Sequence, residues 1–188
     1  MIEVFQAASD LQQVCLREQW KFCFIGGLAL QRWGEPRFTN DADVTLYTGF
    51  GDEERYIKIL LKHFKARISN PIDFAILNRV LLLQSDKGVG LDIALGGLPF
   101  EANAVRRATY FLFPPALNLL TCSAEDLVVM KAFASRGQDW VDVERILVRQ
   151  SGELDWDYIF QQLNPLVLLK EMPEISERLQ KLRIMCET

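Results

Sequence analysis

Three aspartates of this chain are spaced so that together they could bind a divalent cation. Asp41 and Asp43 open an apolar segment, and because side chains alternate along a strand, both carboxylates are expected on the same face. Asp92 lies inside the apolar run Leu91–Leu95, where an unpaired carboxylate is costly. Neighbouring carboxylates repel one another unless a cation neutralises them, and such hard oxygen ligands favour Mg²⁺ or Mn²⁺. The residues therefore predict a metal site.

Each part of this pattern also has a simpler explanation. In a chain with twelve aspartates, about one pair with a single residue between its members is expected by chance. A second such pair occurs at Asp155 and Asp157. That second pair precedes a helical segment, where aspartates are typical of a helix N-terminus. Asp92 taken alone could be a strand-edge residue that meets a lysine or a backbone amide. The order along the chain favours the metal site, because a strand beside the first pair can bring Asp92 next to it.

A glycine pair, Gly26-Gly27, follows the apolar segment Phe22–Ile25 and precedes a helical segment, Leu28–Trp33. Backbone N–H groups at such a turn, together with the positive end of the helix, can hold an anion, and glycine lets a phosphate come close. A plain strand-to-helix turn is the commoner use of two glycines. The chain contains neither GxGxxG nor GxxxxGK[ST], so neither a dinucleotide-binding site nor a P-loop is predicted.

Hydrophobic periodicity divides the chain into an α/β part and a helical part. Strands are predicted at 22–25, 42–47, 66–68, 80–84, 91–95 and 110–113, with a hairpin between the fourth and the fifth. Helical segments are predicted at 2–19, 28–33, 52–65, 71–77 and 100–107, and after Pro114-Pro115 at 124–133, 141–148, 156–163 and 175–185. We therefore predict an α/β (α+β) domain of residues 1–115, with a small mixed or antiparallel sheet flanked by helices, and a helical region of residues 116–188 packed on it.

Composition narrows the classes of function. The chain has 21 basic and 25 acidic residues and a net charge of −4, so it lacks the overall positive charge typical of nucleic-acid-binding proteins. Its four cysteines have no CxxC spacing and are expected to be reduced thiols, and its one histidine, His63, is expected at the surface. The N-terminus does not read as a signal peptide, and no apolar stretch approaches about 20 residues. A cytoplasmic protein without a membrane span is therefore expected.

A longer motif surrounds the glycine pair and the first acidic pair. It runs from Ile25-Gly26-Gly27-Leu28-Ala29-Leu30 through Trp33, Gly34, Arg37 and Thr39 to Asp41 and Asp43. This motif resembles the signature of the polymerase-β-like nucleotidyltransferase superfamily, and it is most similar to the AbiEii (abortive infection) toxin group. A later segment, SAEDLVVMKAFASRGQDWVDVERIL, is similar to a second motif of that group and contains Lys131, Arg136, Asp139 and Asp142. The resemblance covers most of residues 20–150.

The resemblance implies a nucleotidyltransferase palm domain, in which an acceptor hydroxyl attacks the α-phosphate of an NTP and expels pyrophosphate. It implies that Asp41 and Asp43 bind metal, and that Asp92 is a third ligand or the base that takes the acceptor proton. The nucleotide contacts that it implies are Gly26, Gly27, Arg37, Lys131 and Asp139. Many members of the superfamily have Gly-Ser in place of the glycine pair, so here backbone amides would hold the phosphate without a serine hydroxyl.

Other roles are open for several of these residues. Arg37 could pair with Asp41 instead of phosphate, and Lys131 could be a solvent-facing helical lysine. Asp139 and Asp142 could orient Lys131 or the base, or simply lie at a helix N-terminus. Three aromatic residues could stack on a nucleobase, although core packing is favoured for each: Trp33, Trp140 and Tyr110.

Three functions are compatible with these residues. The first is a metal-dependent nucleotidyltransferase that modifies an RNA end or a small hydroxylated molecule such as an aminoglycoside, with an antitoxin protein as a candidate partner. The second is a catalytically degenerate module of the same fold that binds a nucleotide or a protein. The third is a metal-dependent phosphohydrolase. The complete set of three aspartates favours the first, and the acidic chain mildly disfavours a large RNA substrate.

Overall fold

The computed structural model describes residues 1–186, which form nine helices and one seven-stranded sheet. The chain divides into two compact units. The first contains Met1–Leu28 and Phe38–Cys122, and the second contains residues 29–37 and the chain from Ser123 onward. Among residues 1–186, no helix has both the length and the apolar character that crossing a membrane requires.

The sheet belongs to the first unit. Its strands are β1 (Phe22–Phe24), β2 (Asp41–Tyr47), β3 (Lys65–Ala66), β4 (Val80–Gln84), β5 (Gly90–Gly96), β6 (Thr109–Phe113) and β7 (Leu117–Thr121). They lie in the order β3-β4-β5-β2-β1-β7-β6. The pairs β2–β5 and β1–β7 are parallel, and the other neighbours are antiparallel. The predicted mixed sheet and the predicted β4–β5 hairpin are confirmed.

Helices flank this sheet, as expected. Those of the first unit are α1 (Ile2–Arg17), α3 (Glu53–Leu60), α4 (Pro71–Asn78) and α5 (Pro99–Arg107). Helix α2 (Gly26–Trp33) begins in the first unit and continues into the second. The core of the first unit includes residues of α1 such as Phe5 and Leu11 together with Phe22 and Phe24 of β1.

Buried side chains on one face fix the register of β2 and β5. They are Ala42, Val44 and Leu46 on β2 and Leu91, Ile93 and Leu95 on β5. Burying each of the larger ones stabilises the fold by about 1.5–3 kcal/mol. A slip of either strand by one residue would turn aspartates into the core in their place. The register that buries the aliphatic residues therefore also holds the aspartates on the opposite face.

The second unit is helical. Its helices are α6 (Ala124–Ala134), α7 (Gly137–Arg149), α8 (Trp156–Lys170) and α9 (Glu174–Cys186), together with the end of α2. Ser123 caps α6, because its Oγ accepts a hydrogen bond from the Asp126 N–H at 3.2 Å. Asp155 caps α8 in the same way, accepting from the Tyr158 N–H at 2.9 Å. The second acidic pair is thus a helix cap, as expected.

Three element predictions were wrong. Strand β7 was not predicted, because the chain was expected to be helical beyond Pro114-Pro115; Leu117–Thr121 instead pairs with β6 and β1. Helix α3 ends at Leu60 rather than at residue 65, because Lys65 pairs with Gln84 at the edge of the sheet. Helix α8 continues beyond residue 163 and accommodates Pro165 within it.

Candidate active site

Asp43 and Asp92 face each other across two parallel strands. In the β2–β5 register Asp43 is the partner of Asp92, and Asp41 is the partner of Gly90. Because Asp41 lies two residues before Asp43, all three carboxylates share one face of the sheet. We predicted that a neighbouring strand brings Asp92 beside the first acidic pair, and this position of Asp92 is confirmed.

The charge of this group is unfavourable without a cation. Burial raises the pKa of the Asp92 carboxyl above its ordinary value; Arg67 opposes this rise, and the negative charge of Asp41 adds to it. Asp41 and Asp92 are therefore close enough to interact electrostatically. A carboxylate whose pKa is raised by burial and by a neighbouring negative charge is one that a bound divalent cation would stabilise in its charged form.

Gly26 has no room for a side chain, because Asp43 occupies that space. A Cβ on Gly26 would lie 2.7 Å from Cγ and 2.9 Å from Cβ of Asp43, and its φ of +54° also favours glycine. The Ile25 N–H donates to the Asp43 carbonyl at 2.9 Å, which holds the two segments together. Glycine at position 26 thus lets the start of α2 lie directly against the acidic strand.

At Gly27 a different residue, Thr39, occupies the space that a side chain would need. A Cβ there would lie 2.7 Å from Oγ1 and 2.8 Å from Cβ of Thr39. The structure therefore adds a reason for the glycine pair that the sequence did not suggest: the close approach at both positions is made by the protein's own side chains. The first N–H groups of a helix have no partners within it and are therefore suited to an anion. An anion site at the start of α2 stays a prediction.

Thr39 and Arg67 are the polar partners of the aspartates, and sequence reasoning gave neither a role. Thr39 is buried, and its Oγ1 donates to Asp41 Oδ1 at 2.9 Å. Arg67 forms an ion pair with Asp92 through Nη2 and Oδ1. Thr39 lies two residues before Asp41, which is a local signal; Arg67 carries no such signal, because its position depends on the pairing of β3 with β4.

The side chains of Asp41, Asp43 and Asp92 offer carboxylate oxygens as donors. Within residues 1–186 no group of three or more Asp, Glu, His or Cys side chains is arranged to hold a metal ion. The oxygen donors nevertheless suit Mg²⁺ or Mn²⁺, since Asp43 and Asp92 are direct register partners and the charge of Asp41 acts on Asp92. The residues fit the cation in charge and in ligand type.

A second group of charges lies within the second unit. Lys131 is only 6% exposed, and its Nζ donates to Asp139 Oδ1 at 3.0 Å and to Asp142 Oδ2 at 2.8 Å. Lys131 is therefore not a solvent-facing lysine. Arg37 binds both oxygens of Asp142, with Nη2 at 3.1 Å and Nε at 3.2 Å. Arg136 Nε donates to Asp139 Oδ2 at 2.6 Å.

The two aspartates of this group are stabilised in the charged form. Burial opposes the charge of Asp139, but hydrogen bonds from Arg136 and Lys131 outweigh it and lower the pKa of that carboxyl. Burial likewise opposes the charge of Asp142, and hydrogen bonds from Arg37 and Lys131 lower its pKa. Two of the roles left open have their contacts: both aspartates hold Lys131, and Asp139 also accepts from the Arg136 N–H at 3.3 Å at the N-terminus of α7.

The remaining sequence candidates are placed as follows. Trp140 is buried and its Nε1 donates to Ser135 Oγ at 3.1 Å, which agrees with core packing. Tyr110 is 50% exposed on β6, so the expectation of core packing was wrong there. His63 is exposed, as expected. All four cysteines are reduced thiols, as expected, and burial raises the pKa of Cys15 to about 12.

Comparison with known proteins decides the family. The family model described as "Nucleotidyl transferase AbiEii toxin, Type IV TA system" matches residues 10–163 of the chain. The chain belongs to the AbiEii nucleotidyltransferase family. Both motifs from which the resemblance was inferred, around Asp41 and around Lys131, lie inside the matched range. The predicted family is confirmed.

A solved structure shows the same fold. An antigenic nucleotidyltransferase-like protein from Paracoccidioides brasiliensis is 18% identical, with a TM-score of 0.53 over 96% of this chain and 93% of that one. The lincosamide antibiotic adenylyltransferase LnuA, solved with lincomycin bound, is 11% identical, with a TM-score of 0.48 over 72% of this chain and 91% of that one. A comparison with curated proteins found none that matches the chain.

Proposed function

We propose that the protein is a metal-dependent nucleotidyltransferase that transfers NMP from an NTP to a hydroxyl acceptor and releases pyrophosphate. The observation that carries this proposal is the position of Asp43 opposite Asp92, with Asp41 on the same face and the first residues of α2 packed against Asp43. Membership of a nucleotidyltransferase family supports it. In this reaction the acceptor oxygen forms a bond to the α-phosphorus, the bond to the β-phosphate oxygen breaks, and the acceptor proton passes to a base.

Asp41, Asp43 and Asp92 would hold Mg²⁺ or Mn²⁺, which when bound would neutralise charge on the phosphate oxygens. Thr39 orients the Asp41 carboxylate through its hydroxyl. The raised pKa of Asp92 suits a carboxylate that accepts the acceptor proton, and the same position suits a third ligand. The N–H groups at Gly26 and Gly27 would bind phosphate oxygens at the positive end of α2.

Lys131, Arg37 and Asp139 are further proposed nucleotide contacts. Asp139 and Asp142 hold the ammonium of Lys131 in one place, so its charge is ordered before any ligand binds. A fixed ammonium is suited to a triphosphate, which it meets as a point charge. For the acceptor we propose an RNA end or a small hydroxylated molecule, and for a protein partner the antitoxin that the family description suggests.

Product identity tests the reaction. The protein is incubated with each α-³²P-labelled NTP and Mg²⁺ or Mn²⁺, first with total RNA and then with small hydroxylated compounds including aminoglycosides. We expect transfer of the label to one acceptor class with pyrophosphate released in equal amount, and no transfer in EDTA. Free phosphate or nucleoside monophosphate without transfer would show a phosphohydrolase instead.

The degenerate binding module is distinguished by melting temperature. If no acceptor is labelled, the protein is melted with each NTP in the presence and absence of Mg²⁺. A nucleotide-dependent rise in melting temperature without any turnover would favour a binding module. The absence of both labelling and a melting shift would contradict nucleotide binding altogether.

A further inference from the structure

The ion pair between Arg67 and Asp92 uses a carboxylate that the proposed metal site also needs. Arg67 directly follows β3, and its N–H donates to the Leu82 carbonyl of β4 at 3.0 Å, which fixes its backbone beside the sheet. From there its side chain reaches β5, where Nη2 binds Asp92 Oδ1. The Arg67 and Asp92 side chains are 33% and 30% exposed, so the pair is open to solvent and to ions.

Gly90 makes room for this guanidinium. A Cβ on Gly90 would lie 3.3 Å from Arg67 Nη1 and equally 3.3 Å from the Cβ of Asp41, its register partner. The guanidinium therefore lies over Gly90, next to the strand that carries Asp41, while it binds Asp92. It is a positive charge bound to the Asp92 carboxylate and separated from the Cβ of Asp41 by the space above Gly90.

We propose that Arg67 is the resident counter-cation of this carboxylate group, and that it gives up Asp92 when a divalent cation binds. The proposal rests on the function proposed above, because it takes Asp41, Asp43 and Asp92 as the metal ligands. A guanidinium supplies a single positive charge and satisfies one Asp92 oxygen, whereas a divalent cation supplies two charges and draws oxygens of several carboxylates to itself. The two cations compete for the same oxygens, so Arg67 lowers the affinity for metal and stabilises the metal-free protein.

Direct metal binding tests this exchange without any activity measurement. Mn²⁺ is titrated into the wild-type chain and into R67Q, with the free Mn²⁺ followed by its electron paramagnetic resonance signal. We expect R67Q to bind Mn²⁺ roughly 1.5- to fivefold more tightly, the effect of removing a partly exposed ion pair. R67K, which keeps the charge, should fall between the two. R55Q is the matched control. It removes an exposed ion pair with Asp52, which is not one of the three proposed metal ligands, so it should bind Mn²⁺ like the wild type.

Thermal melting separates exchange from a merely structural ion pair. Without metal, R67Q should melt below the wild type; with saturating Mn²⁺ the difference should disappear, because the wild type has then also lost the pair. A difference that stays the same at all Mn²⁺ concentrations would overturn the proposal.

The Mn²⁺ titrations distinguish a failure of the Arg67 proposal from a failure of the proposed metal-dependent function. If the wild type binds Mn²⁺ and R67Q binds it no more tightly, Arg67 is not a competitor and the metal-dependent function stands. If neither binds Mn²⁺, both proposals are wrong. Binding that persists unchanged in D43N would place the Mn²⁺ elsewhere and would also contradict both.

Discussion

Asp43 on β2 lies directly opposite Asp92 on the parallel strand β5. The hydrophobic residues that alternate with them are fully buried, so the pair is held together by the packing of the opposite face of the sheet. Two like charges in register are unfavourable by themselves. Packing of the aliphatic residues on the opposite face therefore holds together carboxylates whose charges repel one another.

Replacing Asp43 with Asn should abolish nucleotide transfer and leave the fold intact. The substitution keeps the shape of the side chain against Gly26 but removes one charge from the carboxylate group. The measurement is label transfer together with urea unfolding. D155N is the control, since Asp155 belongs to the other acidic pair and acts as the cap of α8, a role that asparagine also performs. Full transfer activity in D43N would contradict the assigned role.

Replacing Gly26 with Ala should be much more costly than replacing Gly49 with Ala. Both glycines have positive φ, +54° and +74°, so each substitution carries a backbone penalty of roughly 1–2 kcal/mol. Only at Gly26 would the new Cβ also meet Asp43; no atom lies within 4 Å at Gly49. We expect G26A to lose about 1–3 kcal/mol more in urea unfolding than G49A. Equal losses would show that Asp43 moves aside freely.

Replacing Thr39 with Val should strongly reduce nucleotide transfer and only slightly reduce the free energy of unfolding. Valine keeps the shape packed against Gly27 but cannot donate to Asp41, and one such hydrogen bond contributes about 0.5–1.5 kcal/mol to stability. Without this hydrogen bond the Asp41 carboxylate, a proposed metal ligand, is no longer held in one orientation. The resulting loss in kcat should correspond to more free energy than the loss in stability. T39S keeps the hydroxyl and should recover most of the activity. If T39V transfers label at the wild-type rate, Thr39 only fills space.

The sequence was sufficient for the central part of the site. The alternation of Asp41 and Asp43 with aliphatic residues placed both carboxylates on one face, and the turn at 85–90 placed Asp92 on a hairpin that could return beside them. These are local patterns, and the burial of the aliphatic residues makes them reliable. The position of Asp155 as a cap followed from the same kind of local information.

The partners of these residues could not be predicted from local patterns. Arg67 meets Asp92 only because β3 and β4 pair in one particular register, and nothing near Arg67 in the sequence specifies that register. Strand β7 forms a local hairpin with β6 and was missed because helices were expected beyond Pro114-Pro115; only its pairing with β1 joins residues far apart in the chain. The reason for Gly27 depends on Thr39, which returns to it after an intervening helix.

Replacing Lys131 with Met should destabilise the second unit. Asp139 and Asp142 are buried and would each lose a charged donor, and breaking a buried ion pair costs about 3–5 kcal/mol. Arg37 and Arg136 stay in contact with them, so the loss should lie at the lower end. K58M is the control: Lys58 forms an exposed pair with Glu54, and its removal should change urea unfolding by less than about 0.5 kcal/mol. Equal effects would show that Lys131 is not part of a stabilising network.

The same network predicts how stability depends on pH. Hydrogen bonds from Arg136, Arg37 and Lys131 hold the pKa values of Asp139 and Asp142 below those of the unfolded chain, despite the opposing effect of burial. The stabilisation is therefore fully present above the unfolded aspartate value of about 3.9, and it is lost as the pH falls from there through the lower folded values. In K131M these two pKa values should rise towards the unfolded one, so its free energy of unfolding should fall less steeply as the pH drops below about 4. Urea unfolding of the wild type and K131M across this range measures both slopes; parallel curves would contradict a contribution of Lys131 to the charge state of the two aspartates.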